Sequence, residues 1–416
     1  MLATFANAWK VNDIRKKLLY ILFILLIFRV GSVIPVPGLD MEALQQGMFG
    51  DFGILGMLVG GEMGTIFALG IGPYITASII MQLLTFAIPR LSEMKKEGAE
   101  GTKKINQITR ILALVMAVLQ AIAFLTMWRG AFIVQDNLFL YGAAVVTMVA
   151  GTMFIMWMSE LLTEKGLGNG ASFIILANIL SSLPGGVIML YNASTISLMN
   201  AIFVVIILAS FVFMVAFTVI ISEGQRKLPV QYSKKMVGRQ NFGGQSSFIP
   251  VKVNLAGVLP IIFAMSVLGF PGMLTGFFPN AAGLNRVAEV LSVSSPIGAP
   301  IFIVLIFAFT FFYASFSINP TEMAENLKKN GGFMPGIRPG KPTGDFIQRT
   351  VSRMSWIGAA SYAAIAVMPI VMEWIFGIPV GFGGTTIIIV VGVALDLVKK
   401  LESQLLMRNY KGFLNE

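Results

Sequence analysis

Residues 197–221 read SLMNAIFVVIILASFVFMVAFTVII, a run of 25 residues without a charge. Such a run is long enough to cross the hydrocarbon core of a bilayer as one helix. It is followed by a basic segment that contains Arg226, Lys227, Lys234 and Lys235. An apolar run that ends in clustered Lys and Arg is typical of a span whose far end lies in the cytoplasm. The stretch therefore predicts an integral membrane protein.

Nine other apolar runs complete a pattern in which Lys and Arg lie in every second gap. The ten predicted spans lie at roughly 18–35, 67–88, 105–127, 138–159, 169–190, 197–221, 255–278, 298–318, 352–372 and 380–398. With a cytoplasmic N-terminus, 27 of the 30 Lys and Arg fall in cytoplasmic segments, and only Arg29, Arg129 and Arg286 do not. The positive-inside rule therefore predicts a multi-pass protein of the cytoplasmic membrane with both termini in the cytoplasm.

Composition favours a protein whose solvent is the bilayer. Of the 416 residues, 56% are hydrophobic and only 12% are charged, and the mean hydropathy is +0.81. Membrane orientation and attraction to anionic lipids explain most of the net charge of +10. The chain has no Cys and no His, which excludes disulfides, thiolate sites, imidazole metal ligands and His bases. We expect no metal and no cofactor.

Ionisable residues are almost absent from the predicted spans. An ion-coupled transporter generally needs such groups near the middle of the membrane, and a membrane protease needs a base or a metal site. A secondary transporter of small solutes remains an alternative, which predicts a polar site at the midplane and saturable uptake. A membrane enzyme is a weaker alternative, since catalytic groups are missing.

The segment from Pro35 to Ile66 contains seven glycines between positions 47 and 64 among apolar residues. It is apolar enough to enter a membrane but too short and too rich in glycine to cross it as a separate helix. Irregular backbone is tolerated at that depth only where protein or a water-filled cavity surrounds it. The segment therefore predicts a short piece that folds back into the bundle. The alternative is an external hairpin on the surface.

Two long cytoplasmic connections, 222–254 and 319–353, carry twelve positive charges together. In the first, β-branched and aromatic residues flank glycine turns, which predicts a projecting hairpin. In the second, the Gly- and Pro-rich stretch from Gly331 to Pro339 excludes a helix and favours a structured basic tip. Both loops fit docking of an acidic partner such as ribosomal RNA or a motor protein, or they are solvated loops that only set the orientation.

A faint internal repeat links the second and seventh spans. Residues 70–75 and residues 257–262 both read Gly-x-x-Pro-x-Ile. The two sites occupy equivalent positions in two five-span halves, 1–195 and 196–416, which must run in opposite directions because five is odd. Inverted halves with interrupted helices at matching positions indicate a pathway between the halves.

Medium-sized apolar side chains lie near the presumed crossing of the halves, at Ile71, Ile75, Ile175, Ile262 and Ile389. A ring of such groups makes a dry constriction that opposes ion flow by dewetting. The alternative is that they are ordinary lipid-facing or packed isoleucines.

Over essentially its whole length the chain resembles the SecY family, the large subunits of the bacterial protein-conducting channel. The matching runs include FALGIGPYITASIIMQLL from Phe67, GTMFIMWMSELLTEKGLGNGASF from Gly151, KVNLAGVLPIIFA from Lys252 and NPTEMAENLKKNGGFMPGIRPG from Asn319. The resemblance implies an all-α protein of ten transmembrane helices, in two inverted five-helix halves around an hourglass pore. It also implies a re-entrant plug helix at about 47–65.

The resemblance assigns roles to individual residues. It places a pore ring at Ile71, Ile75, Ile175, Ile262 and Ile389, with a sixth position on Ala171, where the family usually has a bulkier aliphatic residue. Thr76, Gln82 and Phe270 would line a lateral gate between the second and third spans and the seventh and eighth. Cysteines placed near Gln82 and Phe270 are expected to be close enough to bridge. Cytoplasmic docking residues would be Arg226, Lys227, Lys234, Lys235, Arg239 and Arg338.

The function that the resemblance implies is passage of unfolded preproteins across the membrane and lateral release of hydrophobic segments into lipid. The implied partners are the small membrane subunits SecE and SecG, the SecA motor, the ribosome, signal peptides, preproteins and anionic lipids. Work must come from a partner, because the chain has no Gly-rich nucleotide-binding loop with Lys and Ser or Thr.

Overall fold

The computed structural model of the protein describes residues 8–39, 64–127, 137–195, 198–232, 235–237, 240–242, 246–255, 257–278, 281–377 and 383–413. Its helices are α1 (Asn12–Gly31), α2 (Gly72–Ala87), α3 (Pro89–Lys96), α4 (Ala99–Met127), α5 (Leu138–Lys165), α6 (Gly170–Ser194), α7 (Leu198–Glu223), α8 (Leu259–Thr275), α9 (Ala282–Val290), α10 (Gly298–Ser317), α11 (Pro320–Lys329), α12 (Lys341–Phe376) and α13 (Gly384–Phe413). Its strands are β1 (Gln225–Tyr232), β2 (Lys235–Val237), β3 (Gln240–Phe242), β4 (Ser246–Lys252) and β5 (Gly332–Phe333).

Each predicted span overlaps one long helix. Within the described ranges, six helical spans are long and apolar enough to cross a membrane, and they begin at Ala99, Leu138, Gly170, Met199, Gly298 and Lys341. The pair α2 and α3 would add a seventh span, although the two helices meet at an angle of 99°. The mainly helical, membrane-spanning fold is therefore present, and ten crossings remain a prediction.

Several helices extend beyond the predicted spans. The clearest case is α12, which begins at Lys341, whereas the predicted span begins at 352. Thr343, Ile347 and Val351 are buried at helical spacing in this extension, so a protein core, not lipid, covers this face. The prediction counted only continuous apolar runs, so it marked the span and not this helical extension.

The two Gly-x-x-Pro motifs adopt the same backbone. Gly70 and Gly257 have positive φ values of 54° and 63°. Each is followed by a helix that carries proline in its first turn, Pro73 in α2 and Pro260 in α8. A positive φ is accessible to glycine at little cost, and proline fits the first helical turn because its missing N–H has no helical partner there. The repeat therefore encodes two equivalent helix starts.

The ends of the glycine-rich segment lie side by side. The Val36 N–H donates to the Gly64 carbonyl at 2.8 Å, and the Ile66 N–H donates to the Ile34 carbonyl at 2.9 Å. Residues 40–63, which include most of the predicted plug, lie outside the described residues. The chain thus leaves and returns at one point.

That return point is fixed by aromatic packing. Phe67 stacks on Phe28 of α1 at 5.7 Å between ring centroids and on Phe154 of α5 at 6.1 Å. Phe28 and Phe67 are almost completely buried. The stack ties the start of the second predicted span to helices of the first half.

Apolar side chains form separate cores and one shared cluster. One core, built around Phe302, Ile306 and Tyr362, joins α7, α8, α10, α12 and α13. A smaller core joins residues 36–39 and 68–69 to α4 and α5. Between them lies a cluster drawn from α1, α2, α5, α6, α8 and α13. Helix α13 serves both sides, since Ile387 and Ile388 enter the first core while Ile389 enters the shared cluster.

The two long basic connections, 222–254 and 319–353, form one folded unit, termed here the basic sheet domain (Gln225–Lys252 and Pro320–Val351). Strands β1 and β4 pair antiparallel, and β5 pairs with the other edge of β1, so the order is β4-β1-β5. Leu228, Val230 and Val251 pack with Met334 and Ile347 in a small core of its own. The predicted hairpin is therefore present, and the second loop completes its sheet.

Two substitutions, one at Gly257 before α8 and one at Gly272 inside α8, test whether the positive φ at Gly257 requires glycine. A Cβ on Gly257 or on Gly272 would meet no atom within 4 Å. Only Gly257 has a positive φ, which costs a residue with a Cβ about 1 kcal/mol or more. We expect Gly257→Ala to lower the thermal unfolding temperature of the purified protein and Gly272→Ala, inside the helix, to leave it unchanged or raise it. Equal effects would contradict this account.

Candidate functional site

All six predicted ring positions meet in the shared cluster. Ile71, Ile175, Ile262 and Ile389 are each at most 6% exposed. Ile75 and Ala171 are partly buried and pack against the cluster. The six positions come from four helix segments, α2 with its start, α6, α8 and α13. They are therefore neither scattered nor lipid-facing, although their role as a seal remains a prediction.

The Gly-x-x-Pro-x-Ile repeat explains why α2 and α8 each place an isoleucine in the shared cluster. Ile75 and Ile262 follow their prolines by two residues, so both lie within the first two turns of a helix that starts inside the cluster. Val258 is the counterpart of Ile71 in the repeat and also packs against the cluster. Its backbone matches that of Ile71, with φ and ψ of −88° and −9° against −89° and 0°. Sequence reasoning missed Val258, although the motif contained the signal.

The candidate gate is the seam between the helix pairs α2 and α4 on one side and α8 and α10 on the other. Helix α8 contacts both α2 and α4 along this seam. Near one end, Gly276 lies so close to α4 that a Cβ there would be 3.0 Å from the Ala123 Cβ. Near the other end, Phe86 of α2 meets Phe312 of α10 edge to face at 5.4 Å. Neither contact was predicted from the sequence.

The polar residues assigned to the gate, Thr76 and Gln82, form hydrogen bonds within their own helix. The Thr76 hydroxyl donates to the Gly72 carbonyl at 3.1 Å, and the Gln82 amide donates to the Ser78 hydroxyl at 3.3 Å. The contact of Phe86 with Phe312 is apolar, and Gly276 lies against the backbone and Cβ of Ala123. An apolar ring contact can part and reclose without leaving buried polar atoms unpaired.

One expectation about the gate was wrong. Both α2 and α8 start at the shared cluster, but α2 runs towards the Phe86 contact and α8 runs towards the Gly276 contact. Gln82 lies seven residues beyond Ile75, and Phe270 lies eight residues beyond Ile262, which places each about 10–12 Å from the cluster in opposite directions. Cysteines near Gln82 and Phe270 would therefore not be close enough to bridge.

Exposed cations gather on the basic sheet domain. Arg226, Lys227 and Arg338 are exposed, and none makes an ion pair within the described part of the chain. Lys227 also lies over the ring of Phe248, with its Nζ 4.8 Å from the centroid. Lys235 lies in β2, while Lys234 and Arg239 fall outside the described residues. Pairing of β1 with β5 brings Arg226, Lys227 and Arg338 into one unit.

Arg338 is held at a rigid tip. Gly336 and Gly340 on either side have φ values of 78° and 99°. The Arg338 carbonyl accepts a hydrogen bond from the Thr343 hydroxyl at 2.9 Å, and the Ile337 N–H donates to the Met334 carbonyl at 3.1 Å. The backbone is thus fixed while the guanidinium remains in solvent, where it can contact carboxylate or phosphate in bidentate fashion.

These features define an integral membrane protein in which two groups of helices meet at an apolar cluster, flanked by a seam and by the basic sheet domain. Comparison with known proteins gives the family. The sequence model of the SecY family matches residues 65–398. The protein translocase subunit SecY of Streptomyces scabiei is 42% identical over the full length of both chains, and that of Halalkalibacterium halodurans is 40% identical over the same coverage. The chain therefore belongs to the SecY family.

Solved structures share the fold. A protein-conducting channel superposes with a TM-score of 0.67 at 19% identity, covering 92% of this chain and 91% of the other. A SecY channel studied for its plug domain gives 0.65 at 19% identity, with the same coverage. Sec61 in a canine ribosome-channel complex gives 0.62 at 17% identity, with 92% and 91% covered.

Proposed function

We propose that this chain is the channel-forming subunit of a protein translocase, which passes unfolded preproteins across the membrane and releases hydrophobic segments sideways into lipid. The observation that carries the proposal is the convergence of the ring positions in one apolar cluster at the start of α2 and α8. Full-length identity of about 40% to translocase subunits supports it. Charges and peptide groups of a passing chain would cost several kcal/mol each in hydrocarbon, and an aqueous path removes that cost.

The ring is proposed to seal the resting channel. Branched apolar side chains keep water out of a narrow constriction, and their side chains can move aside for a polypeptide. Residues 47–65 are proposed as a plug that covers the ring, because the paired ends at Val36 and Gly64 return the chain beside Phe67. One of the structurally similar SecY channels is described as having a plug domain.

Polar substitution tests the seal. Replacing both Ile75 and Ile262 by Asn should wet the constriction and raise ion conductance through the resting channel in planar bilayers, while export continues. The matched control replaces the same pair by Val, which keeps the site apolar and should leave the conductance low. An Asn variant as tight as the Val variant would remove these residues from the seal.

The seam is proposed as the lateral gate. A segment of about 20 apolar residues gains free energy by entering lipid, and it can leave only if α2 and α4 separate from α8 and α10. The contacts at Phe86 and Phe312 and at Ala123 and Gly276 must then break.

Cross-linking tests the gate, and the absence of native Cys gives a clean background. With Phe86→Cys and Phe312→Cys, a short bis-maleimide bridge should block translocation in vesicles and a long flexible bridge should allow it, since opening must admit a helix about 10 Å across. The matched control bridges Thr126→Cys and Tyr141→Cys, whose native hydroxyls are 3.0 Å apart within one side of the seam. Normal translocation with the short bridge verified across the seam would place the exit elsewhere.

The basic sheet domain is proposed as the docking site for the SecA motor and the ribosome. Arg226, Lys227 and Arg338 supply exposed positive charge, and Lys234, Lys235 and Arg239 follow Lys227 in the sequence. A ribosome-channel complex is among the similar solved structures. SecE and SecG are proposed as the small membrane subunits, and the site of action as the bacterial cytoplasmic membrane with both termini inside.

Charge reversal tests docking. Arg338→Glu should reduce motor-driven translocation in reconstituted vesicles at least about tenfold, because a lost bidentate contact is replaced by repulsion. Arg349→Glu makes the same change on an exposed residue of α12 outside the tip and should have a smaller effect. Translocation at the unsubstituted rate by a folded Arg338→Glu protein would contradict the assignment.

A further inference from the structure

The root of the basic sheet domain contains an unusual set of polar atoms. Ser222 Oγ, Asn254 Oδ1, Ser355 Oγ and Tyr362 Oη are buried without a hydrogen-bond partner. Ser355 and Tyr362 are each only 1% exposed. Buried polar groups are nearly always hydrogen-bonded, because an unpaired one carries its full desolvation cost. Four unpaired oxygens therefore call for a common explanation.

Close backbone contacts bring the four residues together. On α12, Ser355 and Tyr362 lie three residues before and four residues after Gly358, on the same helix face. A Cβ on Gly358 would lie 2.6 Å from the Val253 carbonyl oxygen, so the residue before Asn254 rests directly on this face. The Val253 N–H donates to the Gly224 carbonyl at 2.9 Å, which places the end of α7 beside it.

The Tyr362 hydroxyl points towards these residues. Side chains on a helix lean towards its N-terminus, so Tyr362 leans back towards Gly358 and Ser355. Its hydroxyl lies beside the Ser222 hydroxyl, but the two do not meet the geometry of a hydrogen bond. Asp396 of α13 is close enough to the same hydroxyl to act on it electrostatically.

One ion pair lies beside this site. Lys399 of α13 pairs with Glu223 at the end of α7, with 2.8 Å between Nζ and Oε1. The four buried oxygens belong to neutral hydroxyl and amide groups. A neutral set that can both donate and accept suits water, which does the same, better than it suits a bare cation.

We propose that Ser222, Asn254, Ser355 and Tyr362 hold a small cluster of bound water molecules where α7, β4 and α12 meet. No direct hydrogen bond joins these four oxygens to one another. A buried water typically makes about three hydrogen bonds, so one or two waters satisfy all four oxygens. The water cluster connects the basic sheet domain to α7 and α12 through hydrogen bonds and not through direct side-chain packing.

Removing single hydroxyls distinguishes bound water from unpaired atoms. In the full-length chain within its purified membrane complex, Tyr362→Phe and Ser355→Ala should each lower the thermal unfolding temperature by about 2 °C or more. If the hydroxyls were unpaired, Tyr362→Phe would instead leave this temperature unchanged or raise it. Tyr191→Phe, on an exposed tyrosine of α6, is the matched control and should have no effect.

The double variant tests the shared water. If both hydroxyls bind the same cluster, Tyr362→Phe with Ser355→Ala should lower the unfolding temperature by less than the sum of the single effects. Strict additivity would mean separate direct bonds and would overturn the proposal. A high-resolution map of the unsubstituted complex should show ordered solvent density between Tyr362, Ser355 and Asn254, and a continuous apolar packing there would equally overturn it.

Discussion

A helix that starts inside a membrane-embedded protein exposes backbone N–H groups with no helical partner, and lipid cannot satisfy them. This chain starts two helices in that way, α2 at Gly72 and α8 at Leu259, each with a proline in the first turn that removes one of those donors. The positive φ of Gly70 and Gly257 turns the chain into each helix. Such starts are tolerated only against protein or a water-filled path. The shared isoleucine cluster, the seam and the return of the glycine-rich segment all lie around these two points.

The basic sheet domain depends on the membrane helices for its shape. Its core is completed by Ile347 and Val351 of α12 and by Ala314 near the end of α10. Strand β5 is only two residues long, and its pairing with β1 joins two loops that are distant in sequence. A short edge strand of this kind is stable only because flanking helices hold it in place. Docking charges on different loops are therefore presented with a fixed spacing.

Hydropathy predicted the positions of the helices because it depends on composition over about 20 residues. The orientation that the charges indicate stays a prediction. The N-terminal extension of α12 escaped prediction, since its buried face at Thr343 and Ile347 appears only as helical periodicity against a sheet whose pairing was unknown. The contacts between Phe86 and Phe312 and between Ala123 and Gly276 are likewise non-local, and nothing in either local sequence indicates its partner. Ile75 and Ile262 were predictable because the repeat marks them, and the same repeat pointed to Val258.

Helix α12 has 36 residues and therefore extends roughly 54 Å without a break in its helical structure. Its first residue, Lys341, follows Arg338 by only three positions. Trp356 along its length contacts the rings of Phe307 and Phe311 in α10. The next residue of α10, Phe312, closes the seam against Phe86. Helix α12 therefore begins beside the Arg338 tip, and its side packs against α10, the helix that forms part of the seam. The Arg338 tip is therefore joined to the Phe86–Phe312 contact by continuous helix and packed aromatic rings, with only Pro339 and Gly340 between the tip and the helix.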